Sequence, residues 1–357
     1  MSNEAPALTW KGRLIALGIG LFILLIAAEV ILRIAMPHWR EFYSGWFMRA
    51  INIPSYGLIS TGEPGFDGYF AQNNGDFRVH IKINDFGLRS NEPVEKADGR
   101  IWVVGDSMTF GWGVEENEIY SSVLAKHLQQ ETFNIASPGT DICGYQALLS
   151  RMPDNLTPRA VVMGLILEND IGEYNCDKRA ARQAAAFKAE NSKKSGAVSV
   201  MSIKRQLTEN LALYNFMAVS LKRVNIIREV LTAIKVIKPT DNYKNPIFGN
   251  DFDKVVDNSV AKIVKFQKML PKGTPFLVVI APGRFELRNG DPLYARLRKA
   301  IGLVLGKHEI VAVDPFDSFR KVGYGPTHFA HDGHWTVLGH QLAGEAVAER
   351  LSKMLVH

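Results

Sequence analysis

A serine, an aspartate and a histidine in this sequence are the residue types that nucleophilic acyl transfer requires. Ser107 ends the triplet Gly105-Asp106-Ser107, and Asp332 and His334 lie near the C-terminal end. In such chemistry the histidine takes the proton of the serine, an acid orients the histidine, and nearby donors bind the oxyanion. Ser107 and His334 are far apart in the chain, so this chemistry needs a fold that brings them together.

The segment around Ser107 has the pattern of a strand, a tight turn and a helix. Residues 101–104 are a short apolar run that predicts a buried strand, and an amphipathic helical pattern begins near Asn117. A turn of this kind exposes a nucleophilic hydroxyl at the carboxyl end of a strand, where open α/β sheets bind ligands. Gly-Asp-Ser alone is a weak signal, because all three are common turn residues.

Four further apolar runs predict the other strands of one sheet. They span 133–136, 160–167, 276–281 and 310–313, with helical patterns between them. This alternation predicts an α/β fold with a doubly wound, parallel five-stranded sheet in the order 2-1-3-4-5. Gly139 and Asn169 follow the second and third strands, so both are expected at the same edge as Ser107.

The sequence divides into four predicted segments. Residues 1–13 are a short polar tail, 14–36 a transmembrane anchor, 37–99 an extended lead-in with one strand at 77–83, and 100–357 the catalytic domain. The gap between the third and fourth strands is too long for one crossover. A helical insertion at about 175–270 is therefore expected within the last segment.

The apolar stretch at 14–36 is long enough to span a bilayer. Glu29 and Arg33 are four residues apart and can pair on one helix face near its outer end. We expect an uncleaved, single-pass anchor with a cytoplasmic N-terminus and a periplasmic or extracellular catalytic domain, although the flanking charges say little about orientation. The alternative is a cleaved signal peptide, for which Ala27-Ala28-Glu29 is a weak candidate cleavage site.

Composition excludes several functional classes. The 357 residues carry a formal net charge of +6, and the basic residues are scattered without a basic, aromatic-containing stripe. Nucleic acid is therefore not an expected partner. The spacing of His331, His334 and His340 matches no standard zinc-ligand pattern, so we expect no metal.

The two cysteines, Cys143 and Cys176, exclude a disulfide framework and a cysteine-rich zinc site. In the predicted strand order both follow strands that flank the first one. In an oxidising compartment they can form a disulfide, and the alternative is two unpaired thiols.

Four blocks in fixed order resemble the SGNH (GDSL) hydrolase superfamily. They are Gly105-Asp106-Ser107, Gly139, Asn169-Asp170, and Asp332 with His334. Many members have two residues between the acid and the histidine, whereas here Gly333 alone separates them. The Asp-x-His-Trp form is similar to the alginate O-acetylation proteins and related exopolysaccharide acyl-transfer enzymes of this superfamily.

The resemblance implies a role for each matched residue. Ser107 would be the nucleophile, His334 the general base and then acid, and Asp332 the group that orients His334. The Ser107 and Gly139 backbone N–H groups and the Asn169 side chain would form the oxyanion hole. No cofactor is implied.

The resemblance also implies a substrate class, an acyl ester, in particular an O-acetyl ester, of a cell-envelope or exported polysaccharide. Polysaccharide-modification proteins are the partners it suggests. Whether the acyl group passes to water or to a sugar hydroxyl stays open. Two alternatives remain, a catalytically silent component of a polysaccharide export complex and a lipid esterase.

Other side chains near these blocks have a structural and a functional interpretation. Asp106 and Asp170 are expected to be structural, and Trp112 and Trp335 are expected to pack rather than stack on sugar. Arg284 follows the fourth strand, where it would either steer an anionic substrate or lie solvated at the surface.

Overall fold

The computed structural model describes residues 9–72, 75–172, 175–178, 180–181, 185, 200–220, 229–230, 232–234 and 251–355. Two units are formed, one from Met1–Tyr43 and Gly196–Ile237, the other from Ser44–Ser195 and Lys238–His357. Much of the predicted helical insertion, including 186–199 and 235–250, lies outside the described residues.

The strands among the described residues are numbered in chain order. They are β1 (Met48–Ile53), β2 (Gly57–Gly62), β3 (Asp67–Ala71), β4 (Arg78–Lys82), β5 (Ile101–Val104), β6 (Thr132–Asn134), β7 (Ala160–Ile166), β8 (Phe276–Ala281) and β9 (Val311–Val313). The longer helices are Trp10–Ala35, Tyr120–Leu128, Ile142–Ser150, Val200–Asn210, Phe252–Gln267, Pro292–Lys307 and Val337–Leu355. Shorter helices are Ser107–Phe110, Leu167–Asp170, Ala212–Asn215, Arg284–Asn289, Phe316–Val322 and Tyr324–Thr327.

A parallel five-stranded sheet in the order β6-β5-β7-β8-β9 is the centre of the larger unit. This confirms the predicted doubly wound α/β fold and its 2-1-3-4-5 order. Every residue of β5, β7 and β8 is buried. Strands covered on both faces have continuous apolar sequences rather than alternating ones, which is why short apolar runs were enough to locate them.

Helices cover both faces of this sheet. Ile142–Ser150, Phe252–Gln267 and Pro292–Lys307 pack on one face, through side chains such as Tyr145 and Leu297. Tyr120–Leu128, Phe316–Val322 and Val337–Leu355 pack on the other, through Leu124, Phe319 and Leu351. The loops at the carboxyl ends of the strands lie between these layers, at the edge of the sheet.

The lead-in contains more structure than its sequence indicated. Instead of the single predicted strand at 77–83, β1 pairs with β2 and β3 pairs with β4, giving two antiparallel hairpins at 48–62 and 67–82. We call these the lead-in hairpins. β1 and β3 are partly exposed and lack a clean alternation of buried and exposed residues, so their sequences carry no strong strand signal.

Both lead-in hairpins pack on the rest of the larger unit. Ile53 and Ile59 of the first contact Ala147 and Leu148 of the helix Ile142–Ser150. Aromatic and aliphatic side chains of the second form a separate cluster with residues of the strand-end loops, namely Phe70, Phe77, Val79, Ile81, Phe110 and Ala136. The lead-in therefore shares a hydrophobic core with the loops that carry the candidate site.

Of the two cysteine alternatives, the structure contains the disulfide. Cys143 and Cys176 are bonded, with their Cα atoms 5.5 Å apart and a separation of 33 positions in the chain. The bond links the helix Ile142–Ser150 to the segment that follows β7.

The smaller unit contains the helix Trp10–Ala35, which is long and apolar enough to cross a membrane. Arg33 Nε lies 2.6 Å from Glu29 Oε1, the pairing expected from their spacing. Glu29 also accepts hydrogen bonds from the backbone N–H groups of Ala212 (2.9 Å) and Leu213 (2.8 Å). Arg33 donates to the carbonyl oxygen of Asn210 at 2.8 Å. Both charged side chains near the C-terminal end of this helix, Glu29 and Arg33, thus have partners within the unit.

Candidate active site

Ser107 lies at the start of a short helix directly beyond the carboxyl end of β5. Asp106 caps this helix, since its side chain accepts a hydrogen bond from Met108 N at 2.9 Å. Asp side chains favour this capping position because they satisfy a backbone donor that the helix leaves unpaired. The turn therefore presents Ser107 at the edge of the sheet.

Two glycines permit the close approach that this turn needs. A Cβ at Gly105 would lie 2.1 Å from Thr109 Oγ1, and one at Gly164 of β7 would lie 2.2 Å from the same atom. Any larger residue at either position would push the short helix away from the strands. The Thr109 hydroxyl lies between β5 and β7 and is 3.2 Å from the Tyr120 hydroxyl.

Ser107, His334 and Asp332 form one chain of hydrogen bonds. His334 Nε2 is 2.8 Å from Ser107 Oγ, and His334 Nδ1 contacts Asp332 Oδ1. The single residue between acid and histidine is Gly333, whose φ of +80° is in the left-handed region. This conformation, which favours glycine, lets the Asp332 carboxylate fold back onto the His334 ring despite the short spacing.

The position of His334 is fixed by its neighbours. Its backbone oxygen accepts a hydrogen bond from Phe329 N at 2.9 Å. The ring of Trp112 is stacked on the imidazole, with centroids 5.6 Å apart and planes 29° apart. The His334 side chain remains 23% exposed.

Asn169 is held beside the Ser107 turn by Asp106. Asn169 Nδ2 donates to Asp106 Oδ2 at 2.9 Å, while the other Asp106 oxygen accepts from Met108 N. Burial raises the pKa of Asp106, and these two hydrogen bonds favour its ionised form. The expected structural role of Asp106 thus includes orienting the amide predicted to bind an oxyanion.

Gly139 lies in an exposed turn after β6, with a φ of +73° and open space where a Cβ would point. Its loop is tied to the Ser107 turn, because Ser137 N and Thr140 Oγ1 both donate to the carbonyl oxygen of Gly105, at 3.1 and 3.4 Å. All five predicted site residues therefore lie in loops or short helices at one edge of the sheet.

Arg284 belongs to the site region and is not a solvated surface residue. Its backbone N–H donates to the buried Glu168 carboxylate at 2.6 Å, and its Nε is 3.6 Å from the same oxygen. Its Nη1 is 2.9 Å from where a Cβ of Gly333 would lie. Burial raises the pKa of Glu168, and the nearby guanidinium opposes that shift. Sequence reasoning did not identify Glu168, which lies directly after a buried strand.

The remaining candidates are structural. Asp170 is buried and accepts hydrogen bonds from Tyr145 Oη (2.9 Å) and Ile166 N (2.6 Å). His340 is buried and accepts from Tyr120 N at 3.3 Å, and Trp335 is in the core. Across the described residues, no group of three His, Cys, Asp or Glu side chains is placed to hold a metal ion.

Two lead-in residues that contact the site were not predicted from the sequence. Gln72 Nε2 donates to Asp332 Oδ2, the carboxylate oxygen that His334 does not use. Asp76 accepts from His331 N at 3.0 Å and lies 2.8 Å from His331 Nδ1. Neither residue belongs to a motif, so only the folded chain reveals these contacts.

No protein-family model matches the sequence, and no curated protein matches it. Solved structures that this chain matches include a carbohydrate acetylesterase family member from Sinorhizobium meliloti, with 13% identity and a TM-score of 0.40, covering 72% of this chain and 100% of that chain. A lipolytic G-D-S-L family protein from Veillonella parvula DSM 2008 has 10% identity and a TM-score of 0.39, covering 71% and 98%. A carbohydrate esterase family 2 enzyme with a carbohydrate-binding domain from Corynascus thermopiles has 17% identity and a TM-score of 0.41, covering 75% and 69%.

Proposed function

We propose that this protein is a serine-dependent acyl-ester hydrolase or O-acyltransferase. The observation that supports it most is the hydrogen-bonded chain from Ser107 Oγ through His334 to Asp332. A nucleophile within reach of a base, and a base oriented by an acid, are the features by which such sites are recognised on unrelated folds.

In the proposed reaction Ser107 Oγ attacks the acyl carbonyl carbon while His334 Nε2 takes the hydroxyl proton. The tetrahedral oxyanion is bound by the Ser107 and Gly139 N–H groups and by Asn169 Nδ2. His334 then gives its proton to the leaving alcohol, and the acyl group remains on Ser107. Asp332 holds the ring and stabilises the imidazolium formed in both half-reactions.

Deacylation repeats these steps with a second nucleophile. His334 takes a proton from water, which yields the free acid, or from a sugar hydroxyl, which yields a new ester. Both outcomes use the same side chains, so the acceptor that reaches the acyl-enzyme decides between hydrolase and transferase.

For the substrate we propose an O-acetyl ester of a cell-envelope or exported polysaccharide. The support is the Asp332-Gly333-His334-Trp335 form, which resembles polysaccharide O-acetylation proteins. We further propose the organisation expected from the sequence, with a tail at 1–13, an anchor at 14–36, a lead-in at 37–99 and a catalytic domain at 100–357.

We propose that the N-terminal helix is retained as an anchor, with the catalytic domain outside the cytoplasm. Cleavage after Ala28 would separate the helix from Glu29 and Arg33, whose partners are Asn210, Ala212 and Leu213. The disulfide fits an oxidising compartment. Mass spectrometry of the mature protein should find peptides from residues 11–28, and a chain beginning at Glu29 would overturn the proposal.

The test of the activity uses the full chain in detergent with p-nitrophenyl acetate. We expect hydrolysis by the wild type and none above background by Ser107→Ala. An added acetyl-free glycan that becomes acetylated would identify a transferase. A well-folded wild type without turnover and without an acyl-enzyme would favour the catalytically silent alternative.

A further inference from the structure

We propose that Gln72, a lead-in residue outside the four sequence blocks, is a positioning residue that holds the Asp332 carboxylate against His334. This inference rests on the proposed function, because it assigns Gln72 an effect on the reaction that His334 and Asp332 are proposed to perform. It adds a contribution from the lead-in to a site otherwise built from strand-end loops.

Gln72 is itself held in place. It follows β3 directly, in the turn that leads to β4, and its side chain and backbone together are only 4% exposed. Its backbone N–H donates to the carbonyl oxygen of Phe77 at 3.0 Å, and its own carbonyl accepts from Gly75 N at 3.1 Å. The hairpin therefore fixes the main chain from which the amide reaches Asp332.

The two oxygens of Asp332 have different partners. Oδ1 contacts His334 Nδ1, and Oδ2 accepts a hydrogen bond from Gln72 Nε2. The last torsion of an aspartate side chain is broad, so one hydrogen bond leaves the plane of the carboxylate poorly defined. A second hydrogen bond, to the other oxygen, fixes that plane.

The chemistry of an amide donor suits this task. It favours the ionised carboxylate without introducing a charge that would compete with the imidazolium for Asp332. The carboxylate then remains available to stabilise the positive charge that forms on His334 when Ser107 attacks.

The turn between β3 and β4 contacts the segment 329–334, which ends at His334, at two further places. Asp76 pairs with the backbone and ring of His331, the residue before Asp332. The ring of Phe77 lies 5.2 Å from that of Phe329, which donates its N–H to the carbonyl of His334. These contacts hold the turn against the segment 329–334, and they therefore keep Gln72 next to Asp332.

The test compares Gln72→Ala and Gln72→Glu with wild type, as full chains in detergent, on p-nitrophenyl acetate. We expect Gln72→Ala to lower kcat about 10- to 100-fold with KM nearly unchanged, since displacing a reacting group by about 1 Å costs up to about 100-fold. Gln341→Ala, in an exposed position on the last helix, is the matched control and should leave kcat unchanged.

Gln72→Glu separates positioning from packing. It keeps the size of the side chain but replaces the donor with a second carboxylate facing Asp332. The added negative charge should stabilise the imidazolium, so the acidic limb of the kcat/KM profile should move to higher pH while kcat at neutral pH falls. The other charged groups near the pair, Arg284, Asp106 and the Asp76–His331 pair, are the same in each variant.

The outcomes distinguish the two levels of the proposal. Wild-type kcat and an unshifted profile in a folded Gln72→Glu would overturn the positioning role, even if Gln72→Ala fails to fold. If wild type itself shows no turnover that depends on Ser107, the proposed function fails instead.

Discussion

The strand-end loops and the lead-in hairpins contribute to the site in different ways. The loops carry the proposed reacting groups, Ser107 after β5 and His334 before the last helix. Among its described residues the lead-in carries no group placed to react, yet its Gln72 contacts Asp332, the acid proposed to orient His334. On the proposed roles, the groups that do the chemistry and the groups that position them come from separate parts of the chain.

Arg89 is a second example from the lead-in. It is buried, and its guanidinium donates to the carbonyl oxygens of Phe110 (3.2 Å), Gly111 (2.5 Å) and Val114 (2.7 Å). Burial lowers the pKa of Arg89 to about 10, so it remains charged at neutral pH. Residues 110–114 include Trp112, the ring stacked on His334. Arg89 thus holds the loop that packs on His334, the proposed base.

The largest effects should come from the reacting groups on the strand-end loops. Ser107→Ala and His334→Ala are each expected to lower kcat by about 10⁴- to 10⁶-fold, because attack needs both the nucleophile and its base. Ester hydrolysis by the full chain measures this. His308→Ala, at an exposed site, is the control, and residual activity within tenfold of wild type in either catalytic variant would contradict the assignment.

A smaller loss is expected at the oxyanion donor. Asn169→Ala should lower kcat by about 10²- to 10³-fold with little change in KM, since the donor acts mainly in the transition state. Asp106→Asn should lower kcat less. The carboxylate of Asp106 has two oxygens, one for Met108 N and one for Asn169, whereas an amide has only one oxygen to accept both hydrogen bonds. The exposed Asn289→Ala serves as control. Equal kcat values for Asn169→Ala and wild type would remove Asn169 from the site.

A lead-in change should act on stability as well as on rate. Arg89→Lys keeps the charge but not the planar set of donors, so buried carbonyl oxygens lose hydrogen bonds. We expect a loss of about 1–3 kcal/mol in the free energy of unfolding, with a several-fold lower kcat through the Trp112 loop. Urea unfolding followed by tryptophan fluorescence gives the first value. If Arg89→Lys behaves like the exposed Arg320→Lys, the lead-in does not support that loop.

The smallest expected effect is a pH dependence of stability that comes from two buried histidines, His340 and His328. Burial lowers the pKa of His340 and of His328 to about 3, against an ordinary value of 6.5. The unfolded state therefore binds protons first as the pH falls, so this contribution to stability is complete above pH 6.5 and is lost progressively toward pH 3.

Between pH 6 and pH 5, each such histidine should lower the free energy of unfolding by about 1.4 kcal/mol per pH unit at most. His340→Gln, which can still accept from Tyr120 N, should remove the contribution of one histidine from the slope of the free energy of unfolding against pH. An unchanged slope would show that His340 titrates alike in the folded and unfolded states.

The sequence predicted the sheet and the positions of three proposed site residues for the same physical reason. Buried parallel strands are continuous apolar runs, and each is followed by the loop that carries a motif residue, so finding the strands also located Ser107, Gly139 and Asn169.

Contacts between residues far apart in the chain could not be predicted from sequence patterns. Gln72 and Asp332 are 260 positions apart, and nothing in the local sequence of either marks the other as a partner. The same holds for Arg89, whose burial depends on hydrogen bonds to carbonyl oxygens in residues 110–114. The second lead-in hairpin was predicted only through β4, because β3 has no clean alternation of exposed and buried residues.

The most direct measurement of the proposed nucleophile is covalent labelling of the full chain with a fluorophosphonate, followed by peptide mass mapping. We predict one adduct on Ser107, formed rapidly by wild type and much more slowly by His334→Ala. A folded wild type that forms no adduct, or forms it at another serine such as Ser137, would contradict the proposed serine mechanism.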